Sequence, residues 1–201
     1  MPKIQLDATE LLRQMQSGER TAVSLVTEHI ERLEANHARL NAAVHVFKDE
    51  ALAEAKNPRP GPLSGLPISV KETIGIGGQT ITAGSKRMPP LVCAEDAPVV
   101  QKLRDAGAII LARSNVPEFA MAGETDNLIY GRTNNPLDES RTPGGSSGGE
   151  GALVGSGSTV FGVGTDILGS IRSPASFCGV VGFKPASGAV NKQGIWPDLT
   201  G

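Results

Sequence analysis

The sequence predicts an α/β protein with a mixed central sheet flanked by helices. Two apolar runs, at residues 66–71 and 108–112, have the length and composition of strands that are buried on both faces. Between them, residues 96–106 place their apolar side chains at helical spacing, with Asp96 and Gly107 positioned to cap that helix. Buried strands that alternate with amphipathic helices are typical of parallel or mixed sheets, so we expect helices to cover this sheet.

The first fifty-odd residues predict further helices. Residues 9–17 carry apolar side chains at helical spacing, and Gly18 is placed to end that helix. The same spacing continues at residues 23–33. Residues 42–47 predict a short strand, and residues 50–56 predict another turn or two of helix.

A proline-rich segment at residues 57–62 divides the chain, because proline stops helices. We therefore expect residues 1–57 to form an N-terminal helical layer and residues 62–201 to belong to the α/β domain. His29 and His37 lie on the charged second helix, where we expect both side chains to be in solvent.

Composition and charge exclude several classes of protein. The chain has 201 residues, 19 Lys plus Arg against 21 Asp plus Glu, and a formal net charge of -2, which indicates no nucleic-acid partner. Cys93 and Cys178 have no metal-ligand spacing and are typical of reduced cysteines in an intracellular protein. With no long apolar stretch, we expect no membrane segment and a cytoplasmic location.

Ten glycines fall within residues 144–169, interleaved with apolar residues and serines. Neither of the two glycine-rich phosphate-binding fingerprints occurs there, so a nucleotide site is not indicated. Residues 144–148 satisfy the GxSxG pattern, but residues 134–143 before them do not resemble a strand, and all three histidines precede the block. A Ser-His-Asp triad is therefore not expected.

A serine nucleophile without histidine needs another base, and a lysine kept neutral by its surroundings is the known substitute. Lys71 is the best candidate, because it ends an apolar strand where desolvation lowers the pKa of an ammonium group. Lys184 is a weaker alternative base. Cys178 is the competing nucleophile, but it lies in an apolar run with no base nearby in sequence, so we expect it in the core.

Five segments together resemble the amidase signature family. They occur in the family's order, and the spacing of 24 positions between Ser146 and Ser170 also matches. Residues 148–153 most resemble the subgroup that includes fatty acid amide hydrolases. The five segments are PISVKE at 67–72, PGGSSGG at 143–149, GTDILGSIR at 164–172, FCG at 177–179 and GFKP at 182–185.

The resemblance implies a hydrolase with a Ser-Ser-Lys triad that cleaves a linear amide into an acid plus an amine or ammonia. Ser170 would be the nucleophile that forms an acyl-enzyme, Ser146 a bridging serine after a cis peptide bond, and Lys71 the base. No metal or organic cofactor is implied. The expected partner is a small-molecule amide substrate, and a homodimer is left open as the assembly.

Neighbouring positions acquire roles from the same resemblance. The oxyanion hole would use backbone N–H groups of Ile167, Leu168, Gly169 and Ser170. Ala120 would face the substrate, and Asp166 and Arg172 would support the nucleophile loop or form a plain structural ion pair. The family usually has glycine in place of Leu168. A positive φ there would cost leucine about 1–2 kcal/mol, whereas a negative φ would make Leu168 an apolar wall of the acyl site.

Length is a second departure from the family, because the chains that this sequence resembles are at least twice as long. We therefore expect a fragment that contains the N-terminal part of the domain and leaves apolar surface uncovered. Two alternatives to a simple amidase stay open: the glutaminase-type A subunit of a tRNA-dependent amidotransferase, and a non-catalytic truncated chain. Glu150 and the absence of any strongly basic surface both weigh against the first alternative.

Overall fold

The computed structural model describes residues 7–89 and 91–197. Its N-terminal part contains three helices and a strand, namely α1 (Ala8–Gln16), α2 (Ala22–Leu40), β1 (Ala43–Val46) and α3 (Lys48–Lys56). Asp7 begins α1, where its carboxylate accepts the Glu10 N–H at 2.9 Å. The helices and the strand predicted for this region are confirmed, although α2 continues beyond the predicted residue 33 until Asn41 ends it in the left-handed conformation.

The remainder alternates strands and helices. In chain order these are β2 (Pro67–Lys71), β3 (Thr80–Ile81), β4 (Leu91–Val92), α4 (Pro98–Asp105), β5 (Ile109–Ser114), α5 (Gly148–Gly155), β6 (Phe161–Val163) and α6 (Arg172–Cys178), with a 3-10 turn at Glu118–Ala120. The strands β2 and β5 and the helix α4 lie where the apolar pattern predicts them. The short helices α5 and α6 were not predicted, because their glycine-rich and serine-rich sequences lack helical periodicity.

The main sheet has the strand order β1-β5-β2-β6. The strand β2 is parallel to both β5 and β6, and β1 is antiparallel to β5, so the predicted mixed sheet is confirmed. The strands β3 and β4 form a separate antiparallel pair. In the main sheet Lys71 is paired with Ser114, and Ser69 with Gly162, which aligns these positions across three strands.

Helices cover both faces of this sheet, as predicted. On one face, α2, α3 and α5 pack against β5 through side chains such as Val26, Leu111 and Leu153. On the other face, α4 packs against β2 and β5 around Val70 and Val100. Since successive side chains of a strand alternate between faces, Ser69 and Lys71 point away from α4 and towards α5.

Two local predictions were wrong. Asp96 does not cap α4, because the N-cap residue of this helix is Ala97. The Asp96 carboxylate instead accepts the Gly77 N–H at 2.8 Å and pairs with Arg104 at 2.8 Å. His29 is only 2% exposed and its Nδ1 contacts the Leu25 carbonyl oxygen at 2.9 Å, because it lies on the buried face of α2. Burial lowers the pKa of His29.

The expected uncovered apolar surface is present. Large apolar side chains in the last third of the chain face solvent, with Leu168 94%, Val181 97% and Phe183 76% exposed. More of them, Met121, Leu128 and Leu137, lie in the segment that leads from β5 to α5. The core is therefore well packed around the sheet, while these apolar side chains outside it are exposed to solvent.

Candidate active site

The buried amine of Lys71 is the centre of the site. This residue ends β2, is completely buried, and donates hydrogen bonds from Nζ to two hydroxyl oxygens, Ser146 Oγ at 2.7 Å and Thr165 Oγ1 at 2.7 Å. Burial lowers the pKa of Lys71 to about 7, although the carboxylates of Glu150 and Asp166 act in the opposite direction. A large fraction of the amine is therefore unprotonated near neutral pH, which is what a base requires.

Ser146 reaches this amine from the loop before α5. The Gly145–Ser146 peptide bond is cis, as the resemblance implies. A Cβ atom on Gly145 would lie 2.4 Å from the Ala122 carbonyl oxygen and 2.6 Å from that of Glu124. The backbone therefore fits between its neighbours only with glycine at this position.

Ser170 lies in the loop between β6 and α6 and is half-buried. Its carbonyl oxygen accepts the Ser147 N–H at 3.0 Å, which joins the loop to the residue directly after Ser146. Ser147 also donates its hydroxyl to the Thr165 carbonyl oxygen at 3.2 Å. These bonds hold the loop that carries Thr165 and Ser170 beside the loop that carries Ser146, so the fold brings the elements of all three predicted triad residues together.

Asp166 organises the loop that carries Ser170. Its carboxylate accepts backbone N–H groups from Gly169 at 2.7 Å, Ile171 at 3.1 Å and Arg172 at 3.3 Å. Arg172 also forms a two-point ion pair with it, at 2.9 and 3.0 Å. The Arg172 hydrogen bond and these N–H groups hold the pKa of Asp166 well below its usual range. The supporting pair is thus an ion pair that closes a tight turn around Ser170.

The segment predicted to form the oxyanion hole is exposed. Ile167 and Leu168 face solvent at 69% and 94%, and Gly169 has a φ of +116°. The N–H of Gly169 is directed to the Asp166 carboxylate and not outwards. In the described ranges, the N–H groups of Ile167, Leu168 and Ser170 make no hydrogen bond to another protein group.

Leu168 lies in the ordinary region of backbone space. The described non-glycine residues with positive φ are Asn41, Ala83, Phe119 and Ala120, and Leu168 is not among them. The alternative in which leucine strains the loop is therefore excluded. What remains of the prediction is an exposed apolar side chain next to Gly169, on the surface of the loop.

Ala120 has a φ of +53° at the end of the 3-10 turn and is half-buried. The residues that follow it, Ala122 and Glu124, contact the backbone of Gly145. The segment that follows the turn therefore lies beside the cis peptide bond.

The alternative groups lie away from this centre. Cys178 is buried, with its Sγ 3.6 Å from the Pro143 carbonyl oxygen, and burial raises the pKa of its thiol to about 12. The expected core position of Cys178 is therefore confirmed. Lys184 donates to the Pro185 carbonyl oxygen at 2.7 Å, and among the described residues no hydrogen bond joins it to the serines of the site.

Two site residues were missed by the sequence analysis in these roles. Thr165 is the second hydrogen-bond partner of Lys71, and Glu150 is a buried residue whose carboxyl group lies on the same face of the sheet. The signal for Thr165 was its place beside Asp166 in the GTD segment. Within residues 7–89 and 91–197, no cluster of three or more His, Cys, Asp or Glu side chains could hold a metal ion, and no helix is long and apolar enough to cross a membrane.

The fold and the site define an α/β protein in which a buried lysine contacts serine and threonine hydroxyl groups. The Amidase family model matches residues 24–199, and the chain belongs to this family. The resemblance to the amidase signature is thereby confirmed.

Similar proteins support the same assignment. The A subunit of a glutamyl-tRNA(Gln) amidotransferase from Koribacter versatilis (strain Ellin345) is 42% identical over 201 residues, in an alignment that covers 94% of this chain and 41% of the relative. The structure of a peptide amidase from Stenotrophomonas maltophilia matches with a TM-score of 0.89 at 32% identity, covering 98% of this chain and 43% of that chain. A fatty acid amide hydrolase matches with a TM-score of 0.80 at 33% identity, covering 87% and 32%. The chain thus spans about two fifths of the length of the curated relative.

Proposed function

We propose that this chain carries the catalytic site of a serine amidohydrolase, which hydrolyses the C–N bond of a small-molecule carboxylic amide. The observation that carries the proposal is the 2.7 Å hydrogen bond between Lys71 and Ser146 in a fully buried setting. A buried amine with a lowered pKa can accept a proton that an exposed lysine would already hold.

In the proposed mechanism, the neutral Lys71 amine accepts the hydroxyl proton of Ser146 while Ser146 accepts the proton of Ser170. The Ser170 oxygen attacks the amide carbonyl carbon, and outward N–H groups of the nucleophile loop stabilise the oxyanion. When the tetrahedral intermediate collapses, the C–N bond breaks and the proton returns through Ser146 to the departing amine. Water then attacks the acyl-enzyme by the same proton route and releases the acid.

Covalent labelling tests this proposal. The wild-type chain is treated with a fluorophosphonate probe and the adduct is measured by intact mass, alongside Ser170→Ala, Ser146→Ala and Lys71→Ala. We expect a single adduct that does not form in Ser170→Ala. In the other two variants its formation should be at least about a hundredfold slower, because a positioned acid or base typically contributes that much to a rate. Ser176→Ala, an exposed serine of α6, is the matched control and should label like wild type.

A folded wild-type chain that forms no adduct would contradict the proposal and favour the non-catalytic alternative. An adduct that persists in Ser170→Ala would contradict the assigned nucleophile. Circular dichroism and thermal unfolding of each variant separate loss of chemistry from loss of fold.

The relatives favour one second candidate, a glutaminase subunit that releases ammonia to a partner, because the curated relative at 42% identity is the A subunit of an amidotransferase. The two candidates differ in substrate. Ammonia release from free glutamine supports the glutaminase, whereas cleavage of alkyl or aryl amides without glutaminase activity supports the amidase. The homodimer remains a prediction for either, and light scattering measures it directly.

A further inference from the structure

A second buried ionisable group lies on the Lys71 face of the sheet. Glu150 is in the first turn of α5, four positions after Ser146, and is buried. Its Oε2 accepts a short hydrogen bond from the hydroxyl of Ser69, and that hydroxyl also contacts Thr159 Oγ1 at 3.1 Å. Because Ser69 lies two positions before Lys71 on β2, both side chains point to the same face.

The neighbouring strands are shaped around this carboxyl group. A Cβ atom on Gly162 would lie 1.9 Å from Glu150 Oε2, so only glycine leaves room for the carboxyl there. The other oxygen, Oε1, is buried without a hydrogen bond of good geometry, and so is the hydroxyl of Ser114, which pairs with Lys71 across the sheet. Burying such groups is costly, and it is less so if Glu150 carries a proton, because a neutral carboxyl loses less hydration energy and can donate.

The other acidic groups that act on Lys71 have polar partners of their own. Asp166 is paired with Arg172, and Glu72 accepts hydrogen bonds from the N–H and hydroxyl of Thr82. Glu150 makes no ion pair with any cation of the described residues, and Lys71 is the cation that acts on it. Burial raises the pKa of Glu150 to about 7, the same value to which burial lowers that of Lys71. Two sites that interact in this way titrate as a pair.

We propose that Glu150 is a positioning residue that controls the charge of Lys71, because the two buried groups share one proton. When the carboxyl oxygen of Glu150 holds the proton, Lys71 is a free amine and can act as the base. When the proton moves to the Lys71 nitrogen, the carboxylate stabilises the ammonium and the base is lost. The net charge of the pair is zero in both arrangements. The inference rests on the proposed function of Lys71.

The pH dependence of labelling tests this role. The rate of fluorophosphonate labelling is measured from pH 5 to pH 10 for wild type, Glu150→Gln and the exposed control Glu31→Gln on α2. Glutamine keeps the size and the hydrogen bond to Ser69 but never carries a charge. Removing the carboxylate lowers the pKa of Lys71. The acid limb, which is the range where labelling slows as the pH falls, should therefore move to lower pH by about half a unit. Below that range, the rate of the variant relative to its own plateau should be about threefold higher than that of wild type.

Ser69→Ala provides a second test that leaves the carboxyl group in place. The Ser69 hydroxyl favours the charged form of Glu150, so its loss should keep the proton on Glu150 and move the acid limb in the same direction. If Glu150→Gln does not fold, this variant decides the question. A merely structural role would change the plateau rate or the stability and leave the limb in place.

The outcomes separate this inference from the proposed function. Labelling of wild type at Ser170 with an acid limb that neither Glu150→Gln nor Ser69→Ala moves would overturn the role of Glu150 and leave the proposed function intact. Absence of labelling in the folded wild type would overturn both. A shift in Glu31→Gln equal to that in Glu150→Gln would assign the effect to surface charge and also overturn the role.

Discussion

The side-chain nitrogen of Lys71 donates a 2.7 Å hydrogen bond to the hydroxyl of Ser146, 75 positions further along the chain. The end of β2 and the loop before α5 meet at this bond. Thr165, in a third segment, accepts a second hydrogen bond from the same nitrogen. Burial favours the neutral amine of Lys71, and this amine contacts a Ser146 hydroxyl that can transfer a proton to it.

Replacing Thr165 with valine should slow covalent labelling about fivefold. The substitution keeps the shape but removes one of the two hydrogen bonds of Lys71, and a hydrogen bond worth about 1 kcal/mol corresponds to about a fivefold change in rate. Thr165→Ser retains the hydroxyl and should label within about twofold of wild type. Equal rates in Thr165→Val and wild type would mean that Ser146 alone positions the amine.

The buried Lys71 should make stability depend on pH. The pKa of Lys71 is about 7 in the folded chain, against 10.5 ordinarily, and that of Glu150 is also about 7. Above pH 7 the folded pair has therefore lost the proton that it shares, whereas Lys71 of the unfolded chain still holds one. Stability should therefore rise with pH in this window, by up to about 1.4 kcal/mol per unit. Urea unfolding at pH 7, 8 and 9 should show this rise in wild type and a smaller one in Lys71→Met. The exposed Lys192→Met is the control, and parallel curves for all three would refute the argument.

Asp166→Asn should destabilise the fold by about 2 kcal/mol at pH 7, because it weakens charge-assisted hydrogen bonds to a side chain with no solvent exposure. Arg172→Gln should cost less than about 1 kcal/mol, since the arginine is 54% exposed. The depressed pKa of Asp166 contributes stability above the unfolded value near 4 and loses it as the pH falls further. The difference between wild type and Asp166→Asn in urea unfolding should therefore shrink at pH 3. A constant difference would contradict the charge argument.

Leu168→Gly should leave labelling within about twofold of wild type and lower stability by about 0.5–1 kcal/mol, through backbone entropy. The reason is that Leu168 has no positive φ to relieve. Its neighbour gives the contrast, because Gly169 has a φ of +116° and Gly169→Ala should cost about 1–2 kcal/mol. Thermal unfolding and labelling measure both. A tenfold gain in labelling by Leu168→Gly would show that the leucine obstructs the loop.

Gly149→Ala should prevent or severely impair folding. A Cβ atom there would lie 2.5 Å from both the N and O atoms of Asn115 and 2.8 Å from the Ala42 carbonyl oxygen, all of which are backbone atoms that cannot rotate away. Gly123→Ala is the matched control, since nothing lies within 4 Å of that position. Soluble yield and circular dichroism compare the two variants. Normal folding of Gly149→Ala would show that α5 can shift away from the end of β5.

Local sequence determined much of this architecture. The strand ending at Lys71 and the helix α4 follow from apolar periodicity, because burial of one face or both faces leaves a pattern within a few residues. The long motifs around Ser146 and Ser170 identified the family in the same way. These inferences need no knowledge of which segments meet in space, since they depend on side-chain chemistry and spacing alone.

Contacts between distant segments were decided by the tertiary structure. His29 is buried although its helix is charged, and Thr165 contacts Lys71 across 94 positions. Each depends on the strand order and on which face a helix presents. The sequence alone therefore determined the elements and the chemical groups of this protein. The packing of β2, β6 and α5 decided which groups share a buried, poorly hydrated space, and with it the proton affinities of Lys71 and Glu150.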